Sequence, residues 1–451
     1  MTNILFIVAD QFRHDFLGCA GADFVDTPTI DRIAQDGTRF TNCCTVAAIC
    51  SPARIALATG NYPWRTGLPN NDAYLPASAR TFYQRFRDAD YRVGCVGKLD
   101  LAKPSNFIGF GGDRPVTYAY GFTHPVETEG KMHSGNHPTP QGPYGKMLDD
   151  KGWYQAYHTD YRARAKTRWI KNATHDSVLP DDLFQDTYIG DRAVHWIDEI
   201  SSDRPWMLFL SFVGPHDPFD PPKRYADRYR NRPMPSPIKD DWTNKPRWPE
   251  RLRLGLSDDE TLVARRQYCA SIAAIDDAIG RTLDAVRRKG GADETLIVFT
   301  ADHGEMLGDH GIYQKHIPYE SSMRIPLIVS GPGIQRGIVS DALVELIDIN
   351  PTLCEYTGLP AQENIDARSF SGILSGDADT HRDDVFCSET NYSAIRTREY
   401  KYIENVNDKS ELYRLMDDPN ELNNRIDSDP DIVRDMRNRL KARYTSAEWR
   451  R

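Results

Sequence analysis

The sequence predicts an α/β fold: a large mixed, mostly parallel sheet flanked by helices, with a smaller C-terminal subdomain that carries a short antiparallel sheet and a helix. Three observations predict it. Short apolar runs rich in β-branched and aromatic residues end in polar ones, as buried strands do. Amphipathic helical patterns lie between these runs, and that alternation implies helices layered on a parallel sheet. From about Asp383 the texture changes to closely spaced, short strand-like runs.

In chain order, Ile4–Ala9 is the first expected strand. Thr27-Pro28 reads as an N-cap followed by proline at the first helical position, with Ile30 and Ile33 on one face and Gly37 closing the helix. Arg92–Val96 is the next strand. Residues 101–185 break the rhythm; they are rich in Gly, Pro, His, Tyr and Trp and read as an irregular insertion. Asp186–Ile200 carries an apolar stripe of Ile189, Ala193, Trp196, Ile197 and Ile200. Trp206–Phe212 is a strand, and residues 217–255 form a second insertion rich in Pro, Arg and Trp. Leu262–Val286 is a longer helix, followed by strands at Leu296–Thr300 and Ile325–Ser330. Val385–Cys387, Ser393–Arg396 and Tyr400–Ile403 build the small sheet, and Asp429–Arg443 the last helix, with Asp429 as N-cap and Pro430 after it. The expected domains are 1–380 and 381–451.

With 39% hydrophobic and 27% charged residues, the 451-residue chain has the balance of a globular protein. Its net charge of −9 argues against nucleic acid as a partner, while leaving room for a local basic pocket. No apolar run approaches the ~20 residues of a membrane span. Ile4–Ala9 lacks a basic leader and a small-residue cleavage site, so the expected location is cytoplasmic unless a leader has been removed. The eight cysteines show neither a CxxC pair nor zinc spacing, and read as buried apolar residues apart from Cys50.

Several segments carry chemistry. Ile4–Ala9 ends in Asp10-Gln11, at the sheet edge where open α/β folds bind ligands. Alone, Asp10 reads as well as a turn cap. Cys50-Ser51-Pro52-Ala53-Arg54 runs on through Leu57 to Thr59-Gly60; alone, it is also an ordinary loop-to-helix junction. Leu296–Thr300 leads to Asp302-His303, both able to bind a hard or borderline divalent metal. Lys98 and His216 each follow a strand, and Lys315 lies beyond the Asp-His pair.

Together these segments resemble the formylglycine-dependent (type I) sulfatases of the alkaline phosphatase superfamily. The resemblance spans about residues 3–425, including Lys315–Pro326 and Glu411–Glu421. It implies that Cys50 is oxidised to formylglycine (3-oxoalanine) by a formylglycine-generating enzyme, a required partner. It implies a divalent metal bound by Asp10, Gln11, Asp302, His303 and residue 50. Ca²⁺ ranks first; Mn²⁺, Mg²⁺ and Zn²⁺ are the alternatives. Arg54 would hold the aldehyde hydrate, Lys98 and Lys315 the sulfate oxygens, and His216 would protonate the leaving alcohol. Gln11 and His303 look more like the choline sulfatase and phosphonate monoester hydrolase branches than the commoner Asp-Asp and Asn pattern. Asp100 stands where many relatives have His, and its role is open.

The implied reaction is hydrolysis of a sulfate monoester through a sulfated hemiacetal. A hydrate offers two hydroxyls on one carbon: one attacks sulfur, and the other, on deprotonation, expels sulfate. Phosphonate monoester or phosphodiester hydrolysis through the same nucleophile is the alternative, and an inactive metal-binding relative is a third reading. The expected substrate is a carbohydrate or other small organic sulfate. Tyr118, Tyr120, His124, His133, His137, Trp153, Tyr154 and Tyr157 are either a sugar pocket or the packing of an insertion. A homo-oligomer is left open.

Overall fold

The computed structural model describes residues 2–103, 108–166, 175–360 and 362–445. Residues 104–107 and 167–174 of the predicted insertion lie outside the described residues, as does the end of the chain. Eight strands form the main sheet: β1 (Asn3–Asp10), β2 (Gly37–Cys44), β3 (Arg92–Gly97), β4 (His124–Glu127), β5 (Trp206–Pro215), β6 (Thr295–Ala301), β7 (Arg324–Ser330) and β8 (Ile338–Glu345). Their order is β4-β3-β5-β1-β6-β7-β2-β8, with only β7 antiparallel to its neighbours. A second, antiparallel sheet of β9 (Val385–Glu389), β10 (Tyr392–Arg396), β11 (Tyr400–Asn405) and β12 (Glu411–Arg414) follows, as the sequence predicts.

Helices cover both faces because consecutive strand residues point opposite ways. Phe6 and Phe209 pack against Phe82 and Tyr83 on one face. On the other, Gly94 lies so close to Trp196 that a Cβ there would stand 2.5 Å from the indole. The main helices are α1 (Pro28–Gln35), α2 (Cys50–Thr59), α3 (Gln185–Glu199), α4 (Asp258–Arg288) and α5 (Pro430–Thr445). The longest, α4, starts with a capping box between Ser257 and Glu260 and is apolar along its buried stripe.

Two local expectations change. Thr27 precedes α1, but its hydroxyl bonds Asp31 (2.9 Å) instead of the helix backbone. The carboxylate of Asp276, on α4, takes the first amides of α1, Thr29 N (3.0 Å) and Ile30 N (2.9 Å). Gly37 does not close α1; it begins β2, where a Cβ would meet the Val329 carbonyl at 2.2 Å.

Beyond β6, the chain is pinned by Asp309. This buried carboxylate pairs with Arg13 (2.7 Å) and Arg265 (2.6 Å) and accepts Ile238 N (2.9 Å) and Ser321 Oγ (2.8 Å). Burial alone would raise its pKa; Arg13 and Arg265 more than reverse this and lower it to about 2. A depressed carboxylate contributes stability above its unfolded pKa and loses it as pH falls through the folded value. Asp309 is therefore expected to contribute about 2 kcal/mol above roughly pH 4, lost toward pH 2. Urea midpoints measured against pH check this: Asp309→Asn should be weaker at pH 7 and should flatten the acid limb between those values.

Candidate active site

β3, β5, β1 and β6 are adjacent and parallel, so their carboxyl ends lie on one edge of the sheet. That edge receives Lys98, His216, Asp10 and Asp302, each at or just beyond a strand end. Cys50 arrives as the first residue of α2, where the positive end of the helix dipole falls. Asn71 Oδ1 accepts the next amide, Ser51 N, at 3.0 Å. Gly97 makes the Lys98 turn feasible: its φ is 102°, and a Cβ there would meet the Ser211 carbonyl at 1.9 Å.

The ligand atoms of Asp10, Cys50, Asp302 and His303 all lie within 4.8 Å of one another, and all four residues are buried. Cys50 Sγ is 3.7 Å from Asp10 Oδ1 and 3.2 Å from His303 Nε2. His303 Nδ1 is 3.0 Å from the Gly304 carbonyl, so a proton there directs the Nε2 lone pair into the cluster. Two hard carboxylates and one oriented imidazole fit a divalent cation. Burial lowers the His303 pKa, but Asp302 and the Cys50 sulfur outweigh this and raise it, favouring a proton on the nitrogen that a cation would otherwise take.

Gln11 is placed beside this cluster, with different side-chain partners. Its φ of 65° turns the chain sharply after β1. Its backbone amide donates to Asp302 Oδ1 (3.0 Å), its side-chain oxygen accepts from Lys315, and its side-chain NH₂ donates to Glu305 and Asp217.

Cations surround the cluster. Lys98 pairs with Asp10 and, at 3.1 Å, with Asp100. Arg54 Nε bonds Asp302 Oδ2 at 2.7 Å, and its Nη1 donates to the Lys98 carbonyl and Ser211 Oγ, both at 2.8 Å. Arg54 Nη2 is buried without a hydrogen-bond partner among the described residues. Lys315 contacts His216 Nε2, whose other nitrogen lies 2.7 Å from the Asp217 carbonyl. Burial would raise the Asp10 pKa, but Lys98, His216, Arg54 and Lys315 hold it well below the usual carboxylate range. At Cys50, burial and Asp10 push the thiol pKa up; Lys315, Lys98 and His303 push it further down, and the net value is well below that of an ordinary cysteine. The remaining seven cysteines are free, and all but Cys19 are buried.

A cavity of about 440 Å³ opens over Cys50, Lys98, His216 and Lys315. Asn71, Asp72, Lys103, His133, Gln314 and His316 line it further out together with Met132, so polar groups and apolar surface share its walls. Of the eight aromatic and histidine residues singled out in the insertion, only His133 lines it. Tyr144, Tyr154, Tyr157 and Tyr161 form a separate core with Leu148, Leu179 and Leu183, so these tyrosines pack the insertion. Sequence reasoning assigned no role to Asp217 or Glu305. Glu305 accepts Leu307 N (2.8 Å) and Gln314 N (2.6 Å), and burial together with Asp217 raises its pKa to about 7. No spacing in the sequence marks either as a support of Gln11.

Residues 2–359 match the family described as Sulfatase, and residues 308–447 match the C-terminal region of N-sulphoglucosamine sulphohydrolase. An arylsulfatase of Clostridium perfringens is 28% identical over 444 residues, 95% of this chain and 90% of that protein. A choline-sulfatase of Rhizobium meliloti is 28% identical over 441 residues, 94% of this chain and 82% of its own. The phosphonate monoester hydrolase of Agrobacterium radiobacter superposes with a TM-score of 0.82 at 25% identity, covering 98% of this chain and 96% of that one. A family match across most of the chain, on a sheet whose edge gathers Asp10, Cys50, Asp302 and His303, leads to one assignment: this chain belongs to the sulfatase family of sulfuric ester hydrolases.

Proposed function

We propose that the protein hydrolyses a sulfate monoester of a carbohydrate or other small organic alcohol, with formylglycine derived from Cys50 as nucleophile and one divalent metal, Ca²⁺ ranking first. The observation that carries this reading is the buried cluster of Asp10, Cys50, Asp302 and His303 beneath this cavity. Asp10, Gln11, Asp302 and His303 would hold the metal together with residue 50. A bound metal supplies Lewis-acid stabilisation of negative charge and lowers the pKa of an attached hydroxyl. The aldehyde supplies, as its hydrate, two hydroxyls on one carbon.

The chain's own residues do the rest. Lys98 and Lys315 converge on the cavity floor and neutralise the sulfate oxygens as charge builds on them. Arg54, fixed by Asp302, Lys98 and Ser211, has Nη2 free to donate toward residue 50. His216 lines the cavity beside Lys315, a position that supports its reading as the group that hands a proton to the departing alkoxide. Asn71, Asp72, Lys103 and Gln314 in the cavity wall can take up the hydroxyls of a hydrophilic alcohol.

Phosphonate monoester or phosphodiester hydrolysis stays as a second reading, supported by the likeness to a phosphonate monoester hydrolase. Parallel kcat/KM values on sulfated monosaccharides, choline sulfate, aryl sulfate, aryl phosphonate and a phosphodiester separate the two. Sulfated sugars should lead by at least tenfold, the worth of about 1.4 kcal/mol of differential transition-state binding. A dominant phosphonate or phosphodiester rate would replace the sulfatase reading.

A further inference from the structure

Besides the proton that the attacking hydroxyl loses, the proposed reaction needs two proton movements at different moments. A proton must reach the departing alcohol, and a proton must leave residue 50 when sulfate is released. His216 and Lys315 touch each other on one side of the cavity and account for the first. Asp100 cannot account for the second. Its carboxylate is claimed by Lys103 (2.8 Å) and Lys98 (3.1 Å), and although burial would raise its pKa, these two lysines hold it far below the carboxylate range. It is thus a very weak proton acceptor.

A second imidazole stands in the same cavity on the Lys98 side. A Cβ built on Gly130 would lie 3.5 Å from Lys98 Cε and 3.6 Å from His133 Nδ1, so the backbone at 130 sits against both side chains. Lys98 leads to Asp10, and Asp10 to Cys50. The His133 ring takes no hydrogen bond among the described residues, whereas His316, also lining the cavity, is committed to Glu389 (3.0 Å).

The segment that presents His133 is held firmly. His133 N and Ser134 N donate to the Gly130 carbonyl at 2.9 and 3.1 Å. Ser134 Oγ is 2.7 Å from Tyr157 OH and 3.2 Å from Gln185 Oε1. Lys131 pairs with Asp220 at 2.6 Å. These contacts tie the first insertion to α3 and to the turn after β5. They hold the backbone that carries the His133 side chain into the cavity lining.

We propose that His133 is a catalytic residue of the same hydrolysis: it accepts the proton that residue 50 loses as sulfate departs. The step balances. The proton passes from the residue-50 hydroxyl that does not carry sulfate to an imidazole nitrogen of His133. The C–O bond to sulfate breaks with its electron pair going to sulfate, and the carbonyl of residue 50 re-forms. Burial lowers the His133 pKa, as do Lys103 and Lys98, against the raising influence of Asp100; the net shift is downward and keeps the ring neutral and able to accept.

This proposal rests on the formylglycine reading, and the test separates the two. His133→Gln and His133→Ala are prepared with the formylglycine-generating enzyme, and aldehyde content and melting temperature are measured alongside wild type. During turnover of a sulfate ester, kcat should fall about 100-fold while KM stays within about threefold. Intact mass should show enzyme heavier by one SO₃ accumulating in the variants and not in wild type. Free imidazole should restore His133→Ala at least tenfold, which a merely structural loss would not allow. Unchanged kcat overturns the proposal, as does a loss with neither the heavier species nor rescue. Accumulation in Asp100→Asn but not in the His133 variants moves the role to Asp100. Wild-type enzyme that turns over without aldehyde at residue 50 sinks the underlying reading instead.

Discussion

Cys50→Ala, produced alongside a formylglycine-generating enzyme, is expected to lose on the order of 10⁴-fold or more in kcat, as removal of a nucleophile does elsewhere. Cys50 is 1% exposed and lies 3.7 Å from Asp10 and 3.2 Å from His303, and alanine leaves that place in the cluster without a nucleophilic group. Cys50→Ser discriminates further. A serine offers one hydroxyl, which can attack sulfur but leaves no second hydroxyl to expel sulfate. The serine variant should therefore gain one SO₃ by mass and then stop, whereas the alanine variant should gain nothing. Unmodified Cys50 tests the need for the aldehyde. Lys315, Lys98 and His303 outweigh burial and Asp10 in stabilising its thiolate, so a nucleophile is present even before maturation. If turnover followed thiolate content instead of aldehyde content, the formylglycine mechanism would be wrong.

The reason so much of this site was readable is geometric. Asp10, Lys98, His216 and Asp302 are among the first polar residues after apolar runs, and in parallel neighbouring strands such residues share one edge. The strand order that makes β3, β5, β1 and β6 neighbours was not readable, since no local pattern links Lys98 to Asp302. Three strands of the main sheet escaped notice, and β12 of the small sheet with them. β2 (Gly37–Cys44) is largely polar, with Phe40 its one large apolar residue; β4 is four residues long; β8 is an edge strand that begins with exposed Ile338 and Val339. The aromatic insertion misled for a related reason. Tyrosines that pack one another in a small core look, in sequence, the same as tyrosines that line a pocket. Gln11 shows a third limit: its side-chain contacts with Lys315, Glu305 and Asp217 come from distant parts of the chain that no local pattern links to it.

Arg54→Met should cost about 3–5 kcal/mol of stability in the presence of a chelator, the usual result of stripping one partner from a buried ion pair. Both side chains of the Arg54–Asp302 pair are 1% exposed, and methionine fills much of the arginine volume while supplying no charge. Gln11 N and His303 N, each at 3.0 Å, continue to donate to Oδ1 and hold the carboxylate in place without its cation. The Lys98 carbonyl and Ser211 Oγ lose a partner as well. Arg54→Lys should recover only part of the loss, since a point charge cannot donate along all these directions at once. Urea unfolding in EDTA measures the cost. Repeating it with saturating Ca²⁺ asks a sharper question. If Asp302 is a metal ligand, the cation supplies the positive charge that Arg54 no longer does, and the penalty should shrink. An Arg54→Met penalty that is the same with and without Ca²⁺ would remove Asp302 from the ligand set, because two cations that bind one carboxylate must be energetically coupled.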